Sequence, residues 1–103
     1  MAFHPGPFDH ALAAAAGDDR ALEAQLRTGF VESVERQLDL MQRARCDANW
    51  RLAAQHLHAV AAGFHAEEIM HLANEAAQGA PGDPAALRKI AETVDAIRNP
   101  RDD

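Results

Sequence analysis

From Leu22 to Met41, apolar side chains recur at steps of three and four: Leu22, Leu26, Phe30, Val34, Leu38 and Met41. That spacing lays one stripe along an α-helix and fits no strand, whose faces alternate every second residue. Glu32, Glu35, Arg36 and Asp39 fall on the other side. Nowhere in the 103 residues does an alternating apolar pattern run long enough for a strand. Composition agrees: hydrophobic residues make up 48% and aromatics only 5%, so alanine carries much of the apolar content. Alanine-rich, aromatic-poor chains suit closely packed helices better than sheets.

The same reading places five helices. Residues 1–7, with two prolines and a glycine, form a loose lead, and 8–16 a short first helix. Gly17-Asp18-Asp19 breaks the chain and supplies an Asp cap for a helix over about 19–44. Asp47-Ala48-Asn49 reads as a turn, with Asp47 or Asn49 capping a third helix that starts near Trp50. That helix carries Ala54, Leu57, Ala61 and Phe64 on its apolar face and ends or bends near residues 63–66, where Gly63 weakens it. A fourth follows with Ile69, Leu72, Ala73 and Ala76 on one face. Gln78 to Gly82 is a loop. Asp83-Pro84 is a start signal for the last helix, with Leu87, Ile90, Ala91, Val94 and Ile97 inward. Asn99-Pro100 stops it, and 99–103 is a tail. The expected fold is all-α: an up-and-down antiparallel four-helix bundle with a short additional N-terminal helix, one domain over residues 1–103. A leading Met and a full set of helices point to a free-standing protein.

Charge removes several function classes. The net charge of −6 leaves no basic face for nucleic acid or an anionic membrane. No segment has the basic start and apolar run of a signal peptide, and none approaches a membrane span. The single cysteine, Cys46, has no internal disulfide partner, which suits a reduced, cytoplasmic setting.

The stretch LAAQHLHAVAAGF, residues 52–64, is the unusual one. With Leu57 in the core, Gln55 lies about 160° away on the outside, at 100° per residue. His58, Ala59, Ala62 and Ala66 share that outer face, while His56 points sideways with Val60 and Gly63. An ordinary solvent face carries Lys, Glu and Arg. Here a polar side chain stands among alanines, a flat patch that another protein can approach closely. The bland reading is that alanine, the best helix former, fills surface sites freely.

This stretch resembles the histidine-containing phosphotransfer domain of bacterial phosphorelays, which typically reads A-H-x-L-K-G-x-A, then two or three residues, an apolar residue, G and A. Ala54, Leu57, Ala61, Phe64 and Ala66 fall where that family has like residues, and the likeness extends over about residues 20–98. The family's phosphorylated histidine falls on Gln55, its lysine on His58, and its two glycines on Ala59 and His65. A neutral imidazole has a free lone pair with which to attack the aspartyl phosphate of a receiver domain. A glutamine amide does not, because its nitrogen lone pair is delocalised into the carbonyl. The resemblance therefore implies a degenerate domain that docks a response-regulator receiver, with a hybrid histidine kinase as a second partner, and carries no phosphate. The implied receiver face is Gln55, His58, Ala59, Ala62 and Ala66, and a bulky charge at Ala62 is expected to block it. The alternative within the family is phosphotransfer through His56 or His58. His56, however, is about 100° round the helix and 1.5 Å along it, a severe displacement for in-line transfer.

Other classes find less support. His56, His58, His65, Glu67, Glu68 and His71 lie close in sequence, but His56 and His58 sit about 200° apart on a helix and do not converge on a metal. No cofactor motif, glycine-rich phosphate loop or nucleophile motif is present, so an enzyme is not expected. A generic helical interaction module or weak homodimer remains as the alternative to a monomer, through surplus apolar positions such as Val31, Leu40 and Met70. Trp50 reads as a cap over the bundle end.

Overall fold

The computed structural model describes residues 6–99, and the expectations for the lead before Gly6 and the tail after Asn99 lie outside them. The described chain is all-helical: α1 (Pro7–Ala16), α2 (Arg20–Arg43), α3 (Asp47–Gly63), α4 (Glu67–Gln78) and α5 (Pro84–Arg98). Pro7, expected in the lead, is instead the first residue of α1, where its missing N–H costs nothing and its fixed φ suits a helix. Gly17, at φ 65°, ends α1 in the left-handed region. Asp19 caps α2 by accepting from the Leu22 N–H at 3.0 Å, and Asp83 caps α5 through the Ala85 N–H at 3.0 Å. Both caps match the sequence expectation.

The start of α3 differs from expectation. Neither Asp47 nor Asn49 is its cap: Cys46 is the N-cap residue, in extended conformation and without a side-chain cap bond. The turn is three residues earlier than its polar residues suggested. Helix bonding is already under way at Trp50, whose N–H donates to the Cys46 carbonyl at 3.1 Å. Starting earlier commits Trp50 to the first full turn and to the interior.

Four helices pack in sequence, α2 on α3, α3 on α4 and α4 on α5, and α5 returns to α2; α1 packs on α2. Contacts that join the start of one helix to the end of another tie these pairs together. Trp50, early in α3, donates its indole Nε1–H to the Ala76 carbonyl near the end of α4 at 2.8 Å. Arg27, early in α2, donates to the Ile97 carbonyl near the end of α5 at 3.0 Å and pairs with Asp9 of α1 at 3.2 Å. Arg98 of α5 reaches Glu35 of α2.

The core is apolar throughout; among the described residues no polar or charged residue is buried. Leu12, Phe30, Val34, Met41, Trp50, Leu57, Ile69 and Ile90 are its large, fully buried members. Phe30 stacks obliquely on Phe8 at 4.8 Å and on Phe64 at 5.1 Å, joining α1, α2 and the end of α3. Several sequence expectations change here. Trp50 is not a lid over the bundle end but a core residue, 1% exposed. Val31 is not surplus: it is buried beside Val34. Leu22, expected inward, is 38% exposed, because it precedes the stretch of α2 that the other helices cover.

Trp50→Phe keeps most of the ring's packing but removes the indole donor and leaves a gap. The expected cost is about 2 kcal/mol. Urea unfolding followed by circular dichroism measures it, since the only tryptophan is lost in the variant.

Candidate functional site

The candidate site is the outer face of α3. Trp50, Ala53, Ala54, Leu57 and Ala61 are buried on the inner side, which turns the remaining positions outward. Gln55 and Ala59 are exposed, and His58 and Ala62 are half-buried on the flank. The expected small, polar-centred patch is therefore formed by these four. Ala66 does not belong to it: it is 4% exposed and part of the core. The 100° extrapolation fails there because α3 ends at Gly63 and the chain turns before α4 begins. His56 is exposed on a different side of α3 from Gln55.

The way α3 ends is informative. His65 has φ 56°, the one positive φ on a residue other than glycine among those described. Its N–H donates to the Ala62 carbonyl at 3.2 Å, and the Ala66 N–H donates to the Ala61 carbonyl at 2.9 Å. This pair of bonds is a Schellman ending with His65 at the left-handed position, where glycine is the favoured residue. The same turn carries Ala66 inward and starts α4 with Glu67 and Glu68.

Beside Gln55 a groove of about 470 Å³ opens between the start of α3 and the end of α4. Trp50 forms part of its wall, and Asp47, Arg51, Gln55, Asn74 and Gln78 are its polar lining residues. Arg51, Asn74 and Gln78 were not among the candidates that the sequence offered. Arg51 and Gln55 are four apart on one helix, a legible pairing. Asn74 and Gln78 join them only through the packing of α4 on α3. A larger cleft, of about 990 Å³, lies at the opposite end of α3 and α4, where Phe8, Arg27, His65, Glu68 and Ile97 are among its walls. Its guanidinium, on Arg27, is already engaged by Asp9 and the Ile97 carbonyl, and the cleft lies away from Gln55.

The histidines and acids do not assemble a metal centre: among the described residues no group of three or more His, Cys, Asp or Glu converges. Glu67 and His71, four apart in α4, are not drawn into one, and His71 pairs instead with Glu75 at 3.3 Å. Cys46 is exposed and forms no disulfide. Among the described residues no helix is long and apolar enough to cross a membrane. The chain matches no family model, no curated protein and no solved structure.

His65→Gly removes the Cβ crowding of the left-handed position and is expected to stabilise the fold by roughly 0.5–1 kcal/mol, read as a rise of a few degrees in Tm. A fall in Tm would show that the imidazole makes contacts that outweigh the backbone strain.

Proposed function

We propose that this protein is a phosphotransfer-type domain that docks a bacterial response-regulator receiver in the cytoplasm and does not itself carry phosphate. In this reading α2 to α5 form an up-and-down four-helix bundle with α1 as an addition. The observation that carries it is the left-handed turn at His65. It falls where the family's pattern has glycine, and it supports a register in which Gln55, ten residues earlier on the exposed face of α3, occupies the phosphoacceptor position. The small residues Ala59 and Ala62 beside it leave room for a receiver to approach. The glutamine amide offers hydrogen bonds but no nucleophilic lone pair. Binding without transfer would let the protein occupy or tune a receiver, or the receiver part of a hybrid histidine kinase.

A second reading, a helical module that pairs with itself, is favoured by Leu40 and Leu52, 51% and 50% exposed on neighbouring helices. Sedimentation separates the two: a concentration-dependent dimer lost in Leu40→Ser plus Leu52→Ser favours self-pairing, and a monomer at all concentrations favours docking.

The decisive assay mixes a phosphorylated receiver with the protein and with a Gln55→His variant. Acid-labile phosphate is expected on the variant alone. Phosphate on the unmodified sequence would assign the chemistry to His56 or His58 and overturn the docking-only reading. The docking face is tested separately by Ala59→Arg. Ala59 is more exposed than Ala62, so a bulky charge there leaves the core intact. It is expected to weaken receiver binding at least tenfold with Tm little changed.

A further inference from the structure

The groove beside Gln55 has a chemical bias that the docking reading does not use. Its side chains are rich in donors: the Arg51 guanidinium and the carboxamides of Gln55, Asn74 and Gln78. Among the described residues none of these four side chains is engaged by another protein group. The indole N–H of Trp50 is already committed to the Ala76 carbonyl, so the wall itself adds no competing donor. Asp47 is the one carboxylate that lines the groove. It stands in the first turn of α3, where the free N–H groups of the helix start balance part of its charge. His58, three residues beyond Gln55, extends the donor-bearing face by a turn. A chain with a net charge of −6 therefore presents, on the exposed side of α3 and α4, a recess lined by one arginine and three amide-bearing residues, with no acid paired to that arginine among the described residues.

We infer that this groove is an oxyanion subsite that receives the phosphoryl group on a docked receiver's aspartate, so that the protein selects the phosphorylated form of its partner. The inference rests on the docking reading above. Arg51 supplies a charge-assisted, two-pronged contact to phosphoryl oxygens, and the carboxamides orient it. Gln55 stands where an attacking imidazole would stand and donates a hydrogen bond instead, so the aspartyl phosphate is held and no bond to phosphorus forms or breaks. A receiver without phosphate loses the Arg51 contact and meets the net negative charge of this chain unassisted. Arg51 is a specificity residue in this arrangement, not a catalytic one.

The test has two arms. In the first, a receiver domain that binds the protein is measured unmodified and loaded with beryllofluoride, which mimics the aspartyl phosphate. About tenfold tighter binding of the loaded form is expected, falling to near parity in Arg51→Ala, from the loss of one charge-assisted contact. Arg51 is an exposed helix position, so alanine there keeps the fold, and a thermal melt checks this. In the second arm, inorganic phosphate alone is titrated while the side-chain amide resonances of Gln55, Asn74 and Gln78 are followed. Saturable shifts that vanish in Arg51→Ala are expected. Equal binding of both receiver forms, or a preference that survives in Arg51→Ala, overturns the inference and leaves docking standing. Absence of any receiver binding overturns docking and, with it, the receiver as source of the phosphoryl group. Absence of phosphate shifts at the three amides overturns the groove as an oxyanion site.

Discussion

The hydrogen bond from the Trp50 indole to the Ala76 carbonyl, 2.8 Å long and fully buried, holds the start of α3 against the end of α4. Much of the candidate site depends on it. Trp50 brings the largest apolar surface of any side chain in this chain into the core, but only if its N–H finds an acceptor, because an unpaired buried donor is costly. The carbonyl of Ala76, in the last turn of α4, accepts from the Gly79 N–H at 3.3 Å and offers its second lone pair to the indole. The contact satisfies the buried indole and joins α3 to α4. The groove that holds Arg51, Gln55, Asn74 and Gln78 is the exposed side of that same junction.

At the other end of α3 the chain solves a different problem. Phe64 joins Phe30 and Phe8 in an oblique aromatic cluster, and Ala66 must then turn into the core only two residues later. A left-handed residue between them makes that reversal possible, and His65 accepts the strain. Histidine tolerates this conformation better than a β-branched residue does, though less well than glycine. Between the two anchored ends, α3 runs straight enough to keep Gln55, Ala59 and Ala62 on one side and Leu57 on the other.

Electrostatics is sparse and lies at the edges. Arg27 ties α1, α2 and α5 together through Asp9 and the Ile97 carbonyl while its guanidinium rides 5.5 Å above the Phe8 ring. Arg98 spans Glu35 and Asp95 near the chain's end. The exposed pairs of Arg98 contribute little each, whereas that of Arg27 is part-buried. Arg51 is unlike these two arginines in having no acid partner among the described residues, and it is the one that lines the groove.

The five helices, the Asp19 and Asp83 caps and the outward placement of Gln55 and Ala59 were legible in the sequence, because they depend on local periodicity and on the backbone groups that each helix end leaves free. Ala66 was misplaced because helical angles carry no information past a helix end. The start of α3 was misplaced because polar residues at Asp47 and Asn49 imitate a cap, whereas the burial of Trp50, a non-local demand, draws the helix three residues further back. Val31 was read as surplus because its stripe is wider than a strict step of three and four. What the sequence by itself determined is the helical class and the absence of an imidazole at residue 55, since both are properties of single residues and their spacing. What only the tertiary structure decided is the company Gln55 keeps. Asn74 and Gln78 are nineteen and more residues away along the chain, and only the packing of α4 against α3 around Trp50 brings their amides to the same groove.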